Sequence, residues 1–184
     1  MKILILAILL CASTTHAWNE PTDFKGLKFG EDLTAAIPKC PRDITQKDRC
    51  WAEPAIRFSD HPETYDLKMG PIGDRWLQTQ AIQLQKKLAK IEIGFPATEF
   101  ATMFRIFQER YGEPTKVEDF QWQSQIGAVF RSRRATWQGE KVSITMTQRG
   151  RNRDRGEIVY LTDLWLSRQN DMREKIIKDG AKDL

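Results

Sequence analysis

The chain has 184 residues, with 29 basic and 25 acidic side chains, two histidines and three cysteines. The histidines are His16 and His61, and only His61 remains once the expected leader is removed, which excludes a multi-histidine metal centre and an HExxH metalloprotease site. No P-loop or Gly-rich dinucleotide fingerprint occurs, so the nucleotide chemistry those motifs serve is excluded and no cofactor is expected.

The first seventeen residues read as a secretory signal peptide. Lys2 precedes an apolar run from Ile3 to Leu10, and the small and polar residues Ala12 to Thr15 lead to Thr15-His16-Ala17. Charge, apolar core and small-residue exit in that order define such a leader, and the run falls short of the ~20 residues a bilayer span requires. Cleavage is expected after Ala17, leaving Trp18 to Leu184 as a single domain in the periplasm or outside the cell. The competing readings are a buried N-terminal helix and a lipoprotein acylated at Cys11. Leu10 is larger than the residue that usually precedes an acylated cysteine. No second apolar run reaches membrane length, so no transmembrane segment is expected in the mature chain.

Cys40 and Cys50 remain as an even pair in an oxidising compartment and are expected to form one disulfide around a short polar loop. Ahead of it, residues 18 to 30 are turn-rich with Phe24, Leu27 and Phe29 as anchors, and Glu31 to Ile37 reads as a short helix stopped by Pro38. Tyr65, Leu67 and Met69 alternate with polar residues as a strand does. Ile82 and Leu84 alternate with glutamines, Lys86-Lys87 is a turn, and Ile91, Ile93 and Phe95 alternate again. That is a hairpin, with a single helix from Leu77 to Leu88 as the alternative.

The clearest helix covers Ala97 to Tyr111. Phe100, Met103, Phe104, Phe107 and Tyr111 share one face, Gly112 stands at the C-cap and Pro114 blocks continuation. That stripe is the seam of a helix packed on a sheet rather than a ligand box. Strands then follow around Phe120 and Trp122, over Gly127 to Trp137, over Val142 to Thr147 after the Gln138-Gly139-Glu140 turn, and over Ile158 to Leu166. A terminal helix spans roughly Asp171 to Lys178 and ends at Gly180. The expected fold is α+β: an antiparallel sheet of about four to six strands packed by one main amphipathic helix, with short N- and C-terminal helices.

Catalytic signatures are sparse. His61 follows Ser59-Asp60, but a triad is assembled by the fold rather than by adjacency, and no GxSxG elbow accompanies it. No catalytic and no metal-ligating residue is assigned. Glu109, Glu113, Glu118 and Asp119 crowd the end of the aromatic helix and could serve a small secreted hydrolase if two of them faced a cleft; a solvated charged face is the better explanation. Charge is the uneven feature. Residues 131 to 155 hold Arg131, Arg133, Arg134, Lys141, Arg149, Arg151, Arg153 and Arg155 against Glu140 and Asp154, a local +6. Arg149, Arg151, Arg153 and Arg155 alternate along an expected hairpin tip. Such a patch draws anionic partners, either an acidic protein or an anionic lipid or glycan of the envelope. Nucleic acid does not fit an exported protein, and a plain solubility role for the tip is the competing reading.

Two stretches resemble known domains. Phe24-Lys-Gly-Leu-Lys-Phe-Gly-Glu-Asp-Leu, running on to Ile37-Pro38, is similar to the opening turn and helix of small exported bacterial domains. Ile91-Glu-Ile-Gly-Phe95, with the helix ending Arg110-Tyr-Gly-Glu-Pro114, is similar to their strand, helix and YG-x-P exit. These domains include the β-lactamase-inhibitor-like fold and the small lipoproteins of outer-membrane assembly. The similarity spans about a third of the chain and consists of packing residues, so it implies a fold and carries over no functional residue. It implies a binding or assembly module rather than an enzyme. The chain departs from the lipoproteins in its lack of a convincing lipidation cysteine.

Overall fold

Period-two alternation of apolar and polar residues recurs in the strands between residues 63 and 162, and these pair into one large antiparallel sheet. The computed structural model describes residues 18–41, 49–53, 62–123, 127–150 and 153–182. The expected leader Met1 to Ala17, His61 and Arg151 lie outside the described residues. Two short strands, β1 (Asp23–Phe24) and β2 (Leu27–Lys28), form a small hairpin ahead of helix α1 (Leu33–Ala36). The main sheet comprises β3 (Cys50–Ala52), β4 (Glu63–Lys68), β5 (Gln78–Leu84), β6 (Lys87–Pro96), β7 (Lys116–Gln123), β8 (Val129–Trp137), β9 (Val142–Thr147) and β10 (Arg155–Thr162). Its order is β3-β4-β5-β6-β10-β9-β8-β7. Two four-stranded meanders therefore meet at β6 and β10. They are joined in sequence by a 3-10 turn (Ala97–Glu99) and helix α2 (Phe100–Tyr111).

One face of the sheet is sealed. Ile91, Ile93 and Phe95 of β6, Ile144 and Met146 of β9, and Ile158 of β10 are fully buried. Helix α2 lays Phe100, Met103 and Phe107 onto that layer, and Phe107 lies 6.0 Å from Trp137 and 6.2 Å from Tyr160, centroid to centroid. The helix stops where Gly112 takes φ 85°, a conformation that favours glycine. The N-terminal segment completes the cover with Phe24, Leu27 and Leu33. Glu20 anchors it by accepting backbone N–H bonds from Glu140 (3.0 Å), Lys141 (2.6 Å) and Val142 (2.6 Å). Burial pushes the Glu20 carboxyl up, but these three bonds and the Lys141 charge outweigh it and hold the group below its ordinary value.

The structure refines several expectations. The main sheet has eight strands rather than four to six: all seven alternating runs, the one around Phe120 and Trp122 included, pair into it, and β3 adds an eighth at its margin. The hairpin over residues 78–96 forms, and the helical alternative does not. The last strand ends at Thr162 rather than Leu166. Helix α3 (Asp163–Lys182) starts eight residues before the expected Asp171 and runs through Gly180. Its start is capped by Thr162, whose Oγ1 accepts from Trp165 N at 3.3 Å. Arg155 belongs to β10 rather than to the hairpin tip, and Phe104, on the apolar stripe of α2, is half-buried. Cys40 and Cys50 are disulfide-bonded with Cα atoms 4.9 Å apart.

Candidate binding face

The basic segment links β9 to β10, but its described arginines, Arg149, Arg153 and Arg155, do not converge. Arg149 folds back onto β8: its backbone N–H donates to Ser132 Oγ (3.0 Å) and its Nη1 to the Arg131 carbonyl (2.7 Å). Arg153 turns to Asp154 at 3.2 Å. Arg155 opens β10 on the opposite face from buried Gly156, beside Glu92 and Glu157. The other basic residues of the segment are partly neutralised. Arg133 grips Asp119 through two bonds of 2.7 and 3.0 Å, and Arg134 reaches Glu118 at 3.2 Å.

Those pairings decide the carboxylates as well. The hydrogen bond from Lys116, reinforced by the Lys116 and Arg134 charges, holds Glu118 below the usual carboxylate range. The Arg133 hydrogen bond does the same to Asp119. Glu113 accepts from Gln108 Nε2 at 2.9 Å, and Glu109 lies on the exposed side of α2. Glycosidase chemistry needs one carboxylic acid whose pKa is raised. Glu118 and Asp119 are shifted the other way.

What the structure does assemble is the second face of the sheet. Register places Glu92, Val159, Thr145, Thr136 and Lys116 in one row across five strands. The next row runs Gly94, Glu157, Thr147, Arg134 and Glu118. No described element lies flat on these rows. Instead α3 rises beside them: Trp165 stands over Lys90, its ring 5.1 Å from the ammonium, while Lys90 also pairs with Glu92. Between α3 and the sheet lies a hollow of about 480 Å³, floored by Thr136, Thr145 and Thr147 and walled by Trp165 and Gln169. Charged side chains around it are held in place, Lys116 and Arg134 by Glu118, and Arg134 also by Phe120, whose ring lies 4.9 Å from the guanidinium. The indole N–H of Trp165 is buried without an acceptor.

Beyond the hollow, α3 has no buried residue. Trp165, Gln169, Met172 and Ile176 follow one another at i, i+4, i+7 and i+11 and so share one face of the helix. Met172 is 52% exposed and Ile176 68%. Arg168 and Lys175 border that stripe on one side, where Asp179 also lies, paired with Lys182, and Arg173 borders it on the other, whereas Asp163, Asp171 and Glu174 fall on the far side of the helix. The sequence reading missed this face. Two signals pointed to it: the Thr162-Asp163 capping pair, and the four-residue stripe beginning at Trp165.

Neither a protein-family model nor a curated protein nor a solved structure matches this chain.

Proposed function

We propose that this protein is an exported, non-catalytic binding module that grips an acidic, apolar-studded segment of a partner protein between α3 and the open face of its sheet. The carrying observation is the continuity of the Trp165–Gln169–Met172–Ile176 stripe with the threonine-floored hollow. One face of the sheet is covered by α2 and the N-terminal segment, whereas no described element lies flat on the other. Exposed apolar residues at helical spacing, rimmed by cations, are the pattern of a helix that takes an amphipathic partner. Arg168, Arg173 and Lys175 have no carboxylate partner among the described residues, which selects an acidic one. The arginine hairpin, with four arginines against Asp154 over residues 149–155 and so a local +3, supplies attraction at longer range. Export rests on the Met1 to Ala17 pattern and agrees with the disulfide. The lowered carboxyls of Glu118 and Asp119 weigh against the hydrolase reading.

Capture of partners from envelope extract, with the parent and with Met172→Asp/Ile176→Asp, tests this. Both side chains are exposed, so the thermal midpoint should stay within a degree or two of the parent. Specific capture should fall at least tenfold. Undiminished capture by the double variant overturns the reading. Flotation of the parent with phosphatidylglycerol vesicles, abolished in the same variant, would transfer the stripe from a protein partner to a membrane surface.

A further inference from the structure

A second cleft lies on the opposite side of the sheet, between α2 and the β1–β2 hairpin, with a volume of about 240 Å³. We infer that it binds a small aromatic monocarboxylate. Its walls are rings and branched chains: Phe24, Phe107, Tyr111 and Tyr160, closed by Ile72 and Ile106. The rings stand at an angle to one another, Phe24 to Tyr160 and Phe107 to Tyr111 each at 5.4 Å and 57°. Tilted aromatic walls accept a further ring edge-to-face. A cavity of about 150 Å³ with apolar walls is enough for benzene, so this cleft has room for one ring and a short arm.

The polar groups specify the arm. Tyr111 and Tyr160 bring their hydroxyls to 3.0 Å. Two phenols carry two hydroxyl hydrogens, and one bond between them uses one. Tyr160 is 1% exposed and Tyr111 half-buried, so the arrangement that wastes no donor has Tyr160 donating to Tyr111. The Tyr111 hydrogen then remains for an acceptor in the cleft. Arg110 lies at the mouth, near enough to act on the Tyr160 phenol, and has no carboxylate partner among the described residues. A guanidinium and a phenol hydroxyl together suit a carboxylate.

The remaining mouth residues limit the charge of the ligand. Lys25 spends its ammonium on the carbonyls of Met69 (3.1 Å), Gly70 (3.1 Å) and Pro71 (2.6 Å), which fixes the segment carrying Ile72. Asp23 accepts from Gly26 N at 2.7 Å and places one negative charge beside the entrance. One carboxylate is drawn in by Arg110, and a second would meet Asp23. This site shares no lining residue with the hollow under α3, so either reading can fail without the other.

The test titrates phenylacetate into the mature chain while following the Ile72 and Ile106 methyl resonances by NMR. Saturable shifts at both are expected. Phenethylamine, with the charge reversed, should give none. Arg110→Gln, at an exposed position, should weaken binding roughly tenfold, and Tyr111→Phe should weaken it with the fold intact. Ile106→Trp, which fills the cleft, should abolish the shifts at Ile72. Linear, unsaturated shifts, equal response to phenethylamine, or an Arg110→Gln variant that binds like the parent would each overturn the inference.

Discussion

Gly156 stands opposite Phe95 in the β6–β10 pairing, and a methyl group there has nowhere to go. A Cβ at this position would lie 2.4 Å from Phe95 Cζ, 2.5 Å from Cε2 and 2.9 Å from Cε1. The Phe95 ring is fully buried between β6, β10 and α2, so a displacement of an ångström or more must be passed on to Ile93, Ile158 and the helix. Overpacking of this kind costs about 1–3 kcal/mol. The backbone entropy that alanine saves in a strand returns about 0.5–1 kcal/mol. The net expectation for Gly156→Ala is a destabilisation of about 1–2 kcal/mol. With a urea dependence near 2 kcal/mol/M, the midpoint should fall by roughly 0.5–1 M. Gly180→Ala is the control. No atom lies within 4 Å of a Cβ at that position, so the midpoint should hold or rise slightly. The two variants should therefore move in different directions. An unchanged midpoint in Gly156→Ala would mean that Phe95 does not lie over the glycine and that the central register is wrong.

Further expectations concern the cover of the sealed face. The Glu20 carboxyl sits below its ordinary 4.5 in the folded chain, so its contribution is fully present above that pH and is lost as pH falls through the lowered value. Glu20→Gln should cost about 1 kcal/mol at pH 7, discounted for exposure, and the gap should close toward pH 3 in urea titrations. A gap of constant size across that range would refute the carboxylate's role. Phe107→Ala should cost about 3–5 kcal/mol. Half-buried Phe104→Ala should cost clearly less, and Gln108→Ala little; equal urea midpoints for the three would refute the phase of α2.

Local chemistry was legible where neighbouring residues carry it. The phase of α2 follows from its aromatic spacing, and its end from Gly112 and Pro114. The β5–β6 hairpin was readable from alternation although its turn contains no glycine: Gln85 and Lys86 take φ of 52° and 60° to close it. The signal failed where one hydrophobic run served two elements. Leu164, Trp165 and Leu166 carry the apolar run of β10 past its end, and the Thr162 cap marks the change to helix. The candidate site was beyond reach for a different reason. Thr136, Thr145, Thr147, Glu118 and Glu157 come together through the pairing of four strands, and no local pattern reports that register. The arginine tip stood out in sequence because like charges are visible there. Only the fold reveals that Arg149, Arg153 and Arg155 point to different neighbours.

The central claim is that the partner lies between α3 and the open face. Site-specific photo-crosslinking tests it most directly, with a photoreactive side chain placed singly at Met172, at Thr145 and, on the exposed side of α2, at Thr102. Crosslinks to one partner from Met172 and Thr145, none from Thr102, and loss of both on adding Ile176→Asp are the predicted result. Crosslinking from Thr102 alone, or equally from all three positions, would contradict it.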